Sequence, residues 1–309
     1  MKQNKKIAVI MGGVSSEREI SLSSGQGVFN ALKEAGKSVV AIELTDDIPL
    51  FVKTLKKEKP AVVFNALHGK YGEDGCVQGL LNMMHIPYTH SGILASAIAM
   101  NKMLTKKIAK SLGIFTAEEM MVTKEDILAG KELKMPYVVK PNDDGSSIGL
   151  FVIQNEKDRA KMLNKWPFEG PVLMEAYIPG RELSVAVSDE KPLGVVEIVS
   201  ESGLYDYDSK YNVSTTKHFV PAPIPKDVYE SVMQQAFFIH RALGCRGISR
   251  SDFRYDDTNP TVPDKIVFLE TNTCPGMTPT SLVPDIARYA ELSYTDLILW
   301  LIERATCDK

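Results

Sequence analysis

Glu270 and Asn272 stand two positions apart at the end of an apolar run, residues 266–269. Successive side chains of a strand point to opposite faces, so these two share a face and offer oxygen ligands to a hard cation. Upstream, residues 247–255 read as a second strand, with Arg250 and Asp252 on one face. The polar, proline-containing stretch 256–264 between them suits a hairpin connection. Paired face to face, the strands would gather Arg250, Asp252, Glu270 and Asn272 into the outline of a magnesium–phosphate site. A carboxylate and an asparagine near a strand end are ordinarily turn formers, but the sequel argues for more. Pro275 and Gly276 turn the chain, and Gly276 lets backbone N–H groups approach an anion with no Cβ in the way. Thr278, Thr280 and Ser281 then add hydroxyl donors.

A second cluster follows Lys140. Residues 142–149 join two apolar runs and offer flexible backbone donors at Gly145 and Gly149, with hydroxyls at Ser146 and Ser147; read alone, this is equally an ordinary hairpin loop. Glu175 and Glu182 flank a connector containing Ala176, Tyr177 and Ile178, a place between domains where ligands often bind, although two exposed carboxylates at strand ends are the plainer reading. Lys102, by itself, is a solvated helix lysine. Glu17 lies in the first turn of a helix, where an acid complements the dipole, and Ser16 with Glu19 has capping-box spacing. His68-Gly69 lies beyond the carboxyl end of a strand, where open α/β sheets bind ligands. The other four histidines have no ligand spacing and read as structural or exposed.

Familiar nucleotide motifs are missing. Gly25-Gln-Gly27 lacks the third glycine of the dinucleotide fingerprint and falls inside a helix, and no Walker A loop is present. The four cysteines (Cys76, Cys245, Cys274, Cys307) form no C-x-x-C pair, which argues against zinc and disulfide frameworks. A net charge of −3 gives no bulk attraction to nucleic acid or anionic membrane. No apolar run approaches signal-peptide or transmembrane length, so a cytoplasmic protein is expected.

The elements that must position these residues follow from periodicity. Strands at 7–11, 39–44 and 61–64 alternate with helices, one carrying Ile20, Val28, Leu32 and Ala35 and ending at Gly36, the other spanning 50–59. That alternation indicates an open, mostly parallel sheet. A helix with Met100, Leu104, Ile108 and Leu112 at i, i+4 spacing follows, with Lys106, Lys107 and Lys110 near its negative end. From about 115 to 180, strands at 137–140, 150–153 and 171–175 with a helix near 156–164 suggest a small α+β unit. Residues 182–187 and 192–197 read as an antiparallel pair. A long polar stretch, 200–225, carries Tyr205, Tyr207, Lys210 and Tyr211, and loops of that length are usually functional; an ordering lid fits its composition. The next helix places Val228, Val232, Ala236, Ile239 and Leu243 on one face and ends at Gly244. The division expected is 1–96 as an N-terminal α/β domain, 97–180 as a central small α+β subdomain, and 181–309 as a C-terminal domain with its lid at about 200–225.

Taken in order, these pieces resemble the D-alanine–D-alanine ligases of the ATP-grasp superfamily. The pieces are Gly12-Gly-x-Ser-x-Glu17-Arg-Glu-Ile-Ser-Leu22, His68-Gly69, Met100-Asn-Lys102, Val139-Lys-Pro141 with Gly145-Ser-Ser147, Tyr205-Asp-Tyr-x-x-Lys-Tyr211, Arg250-Ser-Asp252 and Glu270 to Leu282. The resemblance covers essentially the whole chain and implies an N-terminal open parallel α/β domain followed by a two-part ATP-grasp unit of mixed and antiparallel sheets. It implies ligation of two D-alanines through an acyl phosphate, for peptidoglycan precursor synthesis.

For ATP it implies Lys102 and Lys140 on the phosphates, Glu175 near the adenine with Ala176, Tyr177 and Ile178, and Glu182 on the ribose. Ser146, Ser147 and Asn272 complete that set. Asp252, Glu270 and Asn272 match ligands of two magnesium ions, replaceable by manganese, and a monovalent cation such as potassium belongs to the same picture. Glu17 would pair with the ammonium of the first D-alanine beside His68, with Ser146 and Tyr211 tied to Glu17. Lys210, Ser281 and the Leu282 N–H would hold the second carboxylate, and Arg250 with the Gly276 N–H would stabilise the tetrahedral oxyanion. A homodimer is also implied. Asn101 stands where relatives often carry Asp, and Tyr211 agrees with the dipeptide-forming type. The alternatives are an ATP-grasp carboxylate–amine ligase for another amino acid, a non-catalytic nucleotide-binding protein of this fold and, weakest, a dinucleotide-binding dehydrogenase.

Overall fold

The computed structural model describes residues 5–145, 149–200, 216–258 and 266–308. These form three sheets in sequence order. The first holds β1 (Ile7–Gly12), β2 (Val39–Leu44) and β3 (Val62–Asn65), all parallel, in the order β2-β1-β3. Every residue of β1 is buried, as a central parallel strand covered on both faces must be. Helix α1 (Arg18–Glu34) lies on one face; Gly25 and Gly27, passed over as a dinucleotide fingerprint, are packing residues within it. Gly36 follows with φ of +70°, the left-handed conformation that ends helices. The capping box expected of Ser16 and Glu19 does not form. The helix begins one residue later, with Glu17 as its N-cap and no side-chain cap bond, while the Ser15 hydroxyl accepts from the Glu17 N–H at 3.2 Å. Helix α2 (Ile48–Glu58) joins β2 to β3, and α3 (Cys76–Met83) follows β3.

The second sheet is antiparallel in the order β4-β7-β5-β6, from β4 (Glu119–Val122), β5 (Tyr137–Lys140), β6 (Phe151–Ile153) and β7 (Val172–Ala176). Strand β4 has no alternating pattern, Glu-Met-Met-Val, and only its pairing with β7 defines it. The third sheet is also antiparallel, in the order β10-β9-β8-β11-β12. It holds β8 (Arg181–Ser188), β9 (Pro192–Ser200), β10 (Thr216–Phe219), β11 (Ile248–Tyr255) and β12 (Ile266–Asn272). Strand β10 pairs with β9 at the sheet edge, so residues 216–219 of the 200–225 stretch are strand, while 220–225 are loop.

The single helix expected around 100–112 is two helices, α4 (Ile93–Met100) and α5 (Lys102–Ser111). Asn101 breaks them: it is extended, and its side chain accepts the Leu104 N–H at 2.9 Å as the N-cap of α5. The expected apolar face is also rotated. Leu104 is 46% exposed and Leu112 41%, while Lys102, Thr105, Lys106 and Ala109 face inward. Carboxylates of the two antiparallel sheets make that polar face the inner one. Short α6 (Lys124–Leu128) and α7 (Glu156–Asn164) serve the second sheet. Helix α8 (Lys226–Ala242) covers the third sheet through Val232, Ala236 and Ile239, and α9 (Leu282–Tyr289) and α10 (Tyr294–Glu303) complete the chain. No helix among the described residues is long and apolar enough to cross a membrane.

Candidate active site

Strands β11 and β12 pair as the alternation of their side chains demands. Arg250 lies opposite Asn272 and Asp252 opposite Glu270, so all four occupy one face, and a register shift directly after Asp252 marks a bulge at the site. The Arg250 guanidinium donates to both Asp252 oxygens, Nε to Oδ1 at 2.9 Å and Nη2 to Oδ2 at 2.8 Å. The Ser184 hydroxyl of β8 donates to Asp252 as well. Asn272 Oδ1 accepts the Cys274 N–H at 2.8 Å, which holds the start of the turn. The Cys274 thiol itself is buried, and burial pushes its ionisation well up, so it is inert. Among the described residues no group of three His, Cys, Asp or Glu side chains is arranged for a metal. The candidate set is Asp252, Glu270 and an amide oxygen, whose hard oxygen donors fit magnesium or manganese.

Helix α5 brings lysines to this face. Lys102 Nζ lies 3.5 Å from Glu270 and donates to the Asp144 carbonyl at 2.5 Å. The Lys102 and Met103 N–H groups donate to the Asn142 carbonyl and side chain at 3.0 and 2.9 Å, so the loop after Lys140 is tied to the positive end of α5. Farther in, Glu175 is buried between two lysines. Lys140 Nζ is 2.7 Å from its Oε2, and Lys106 pairs with Oε1. Burial opposes charge on Glu175, yet the two lysines outweigh it and hold the carboxyl down at about 2. The lysines shift oppositely. Burial lowers both, but Lys140 also faces Glu270 and Glu182 and ends up raised, whereas Lys106, repelled by Lys140, ends up lowered.

The connector beyond β7 is pinned by Arg254, a residue the sequence reading passed over. Its guanidinium donates to the Ile178 and Gly180 carbonyls at 3.1 and 2.7 Å and meets Glu182 at 3.3 Å. The Ala176 and Tyr177 N–H groups donate to the Glu118 and Pro136 carbonyls, so their backbone amides are committed to the second sheet's edge. The alternation Arg250, Asp252, Arg254 along β11 was the available signal.

The third group surrounds Glu17, which is buried at the start of α1. Two glycines wall it in: a Cβ at Gly69 would stand 3.0 Å from Glu17 Oε2, and one at Gly145 only 2.5 Å. His68 Nδ1 meets Glu73 Oε1 at 3.2 Å and Nε2 meets the Ser24 hydroxyl at 3.2 Å. Burial opposes charge on His68, but Glu73, with Glu17 behind it, raises its pKa overall. Glu73 was also missed; five residues after His68 in a loop, it carries no local signature. Its Oε1 accepts from Asn272 Nδ2 at 3.4 Å. Ser24 also accepts the Met277 N–H at 3.3 Å, so His68 and the Gly276 turn share one hydroxyl. Ser281 packs against Gly276, where a Cβ would lie 3.1 Å from its hydroxyl; it bonds Thr278 at 2.7 Å and stands at the N-cap position of α9, just before Leu282, with no side-chain cap bond.

Several of the expected residues, joined by Glu73, thus form one circuit. Glu270 meets Lys102, Lys102 holds the loop that reaches Gly145, Gly145 backs Glu17, and Gly69 leads to His68 and Glu73, which returns to Asn272. Ser146, Ser147, Lys210 and Tyr211 lie outside the described residues.

A parallel α/β sheet followed by two antiparallel sheets, with lysines and carboxylates gathered at their junction, defines the ATP-grasp ligase class. The model of the D-ala D-ala ligase C-terminus matches residues 108–303, and that of the N-terminus matches residues 50–91. The chain belongs to the D-alanine–D-alanine ligase family. It is 46% identical to the D-alanine–D-alanine ligase of Paramagnetospirillum magneticum over 99% of this chain and 100% of that one. The identity with that of Parvibaculum lavamentivorans is also 46%, over the full length of both. The crystal structure of the D-alanine–D-alanine ligase from Bacillus anthracis complexed with ATP superposes with a TM-score of 0.81 at 32% identity, covering 98% of this chain and 97% of that one.

Proposed function

We propose that this chain joins two D-alanines to D-alanyl-D-alanine at the expense of ATP, supplying peptidoglycan precursors, with the circuit around Glu17, Lys102, Glu270 and Asn272 as its active site. The observation that carries the reading is the β11–β12 register, which sets Arg250, Asp252, Glu270 and Asn272 on one face within reach of Lys102. A carboxylate is a poor electrophile. Phosphoryl transfer from ATP makes the first D-alanine an acyl phosphate, and that step asks mainly for positioning and charge neutralisation. Lys102 and Lys140 supply positive charge to the phosphates, while Glu175, Glu182 and residues 176–178 receive the nucleoside. Asp252, Glu270 and Asn272 would hold two magnesium ions, which neutralise phosphate charge when bound.

Glu17, walled by Gly69 and Gly145 and backed by His68, binds the first ammonium. Ser281 and the Leu282 N–H, at the positive end of α9, receive the second carboxylate. The amine of the second D-alanine attacks the acyl carbon, Arg250 and the Gly276 N–H stabilise the oxyanion, and phosphate leaves. Ser146, Ser147, Lys210 and Tyr211 complete the reading from the sequence resemblance alone, as do the monovalent-cation site, the homodimer, the cytoplasmic location and the division at 96 and 180. A related solved structure, the VanG D-Ala:D-Ser ligase from Enterococcus faecalis, superposes with a TM-score of 0.79 at 28% identity over 97% of this chain and 99% of that one, so the second substrate needs its own test. ADP release is measured with D-alanine, L-alanine, or D-alanine mixed with D-serine or D-lactate, and products are identified by mass spectrometry. D-alanine-dependent turnover giving D-alanyl-D-alanine as the main product is expected. Dominant mixed products, or ATP binding without D-alanine-dependent turnover, would overturn the reading.

A further inference from the structure

Helix α5 presents a lysine at every fourth residue, and each meets a carboxylate from a different strand. Lys102 faces Glu270 of β12, Lys106 faces Glu175 of β7, and Lys110 faces Glu119 of β4. Their settings differ. Lys110 is half exposed, the Lys102 side chain is 8% exposed, and that of Lys106 is 0% exposed. Lysine is almost never fully buried, and an ammonium taken out of water costs several kcal/mol unless it is well paired.

Glu175 does not need Lys106 for neutrality, because Lys140 Nζ already lies 2.7 Å from its other oxygen. One buried carboxylate between two buried ammonium groups leaves the cluster with an excess positive charge. The two lysines have different neighbours. Lys140 stands at the end of β5 beside the loop tied to Lys102, and it feels Glu270 and Glu182 as well as Glu175. Lys106 feels Glu175 and, behind it, Glu119, which lies opposite Glu175 in the β4–β7 register. All of these groups lie on one face of the second sheet, with Lys140 on the Glu270 and Glu182 side of Glu175 and Lys106 on its Glu119 side.

We propose that Lys106 is a positioning residue for the nucleotide: the permanent counter-ion that keeps Glu175 ionised and its Oε2 aimed into the site when Lys140 turns from Glu175 to the phosphates of ATP. This rests on the reading of Lys140 and Glu175 as ATP contacts. In the structure Lys140 pairs with Oε2. The polyphosphate draws Lys140 away, and Oε2 becomes an acceptor for an N–H donor such as the amino group of adenine. Without Lys106, that exchange would strand a buried, unpaired carboxylate, the costly state for an ion pair that loses one partner.

The test uses the full-length enzyme and four variants: Lys106→Met, Lys106→Arg, Glu175→Gln, and the double variant Lys106→Met/Glu175→Gln. KM for ATP and for D-alanine and kcat are measured from pH 6 to 8.5, alongside thermal unfolding. Lys106→Met is expected to raise KM for ATP about tenfold or more, the loss of one charged contact, with KM for D-alanine within about twofold. Its KM for ATP should climb further as pH falls, because burial without the ammonium raises the Glu175 carboxyl into that range. Wild type, held by Lys106 and Lys140, should show no such rise, and Lys106→Arg should stay near wild type. An unchanged KM for ATP in folded Lys106→Met, while Glu175→Gln raises it, overturns the inference and spares the reading beneath it. An unchanged KM in Glu175→Gln overturns both. If Lys106→Met does not fold, the double variant decides: a KM equal to that of Glu175→Gln alone supports the inference, and a further tenfold rise overturns it.

Discussion

Arg250 makes a two-nitrogen contact with Asp252, and a guanidinium held in one plane is a fixed donor fork rather than a mobile charge. That rigidity suits a group waiting for an oxyanion that exists only in the transition state. Arg250→Met is expected to lower kcat by about 10²–10³, the usual cost of removing one oxyanion donor, while KM for ATP changes far less; steady-state kinetics with each substrate varied separates the two. A KM effect without a kcat effect would move Arg250 to substrate binding. At this scale the hairpin residues were legible in the sequence, because a strand's period of two leaves no choice of face once its register is known. Lys106 and Glu73 were not. A lysine at i+4 on a helix reads as a solvated face, and only the carboxylates arriving from β7 and β4 bury it. Glu73 acquires meaning from His68 and Asn272, the latter 199 residues away in sequence.

Elements were legible wherever local chemistry settled them: the parallel strands, α1 with its terminal glycine, the β11–β12 hairpin and α8. Helix α5 was right in kind but wrong in face, since Leu104 and Leu112 point to solvent. Periodicity identifies a stripe without saying whether apolar or paired polar groups will meet it. Gly25 illustrates the converse, a helix residue whose type is set by its neighbour. A Cβ there would stand 2.5 Å from Met11 Cβ on β1. Alanine ordinarily strengthens a helix by about 1 kcal/mol over glycine. Here overpacking of roughly 1–3 kcal/mol should prevail, so Gly25→Ala lowers the urea midpoint while a solvent-facing control, Gln26→Ala, does not. A raised midpoint would show that α1 and β1 can separate at little cost.

Over the whole molecule, buried histidines make stability depend on acidity. His240 sits inside α8 with Nδ1 2.8 Å from the Ser249 hydroxyl, and burial, aided by Arg241, lowers its pKa to about 4. The unfolded chain takes that proton near pH 6.5. Between 6.5 and 4 the unfolded state therefore binds more protons, and stability is lost as pH falls through that window, by up to about 1.4 kcal/mol per pH unit. His90, lowered to about 3, acts in the same direction, and His68, raised, acts in the opposite one. Comparing wild type with His240→Asn by urea unfolding at several pH values isolates one group: the variant should lose the greater part of one proton's slope, and an identical slope would mean His240 is charged in the folded protein. Sequence patterns said nothing of this, because burial of these rings is a property of the assembled core. The same core joins distant parts of the chain. Val28 and Leu32 of α1 pack with Leu297, Ile298 and Leu301 of α10, and Thr306 bridges to Tyr88. A ribosome adding roughly 5–20 residues per second delivers α1 long before α10. For those seconds the nascent chain carries an uncovered apolar helix face, so the first sheet's packing is completed only after α10 has been made.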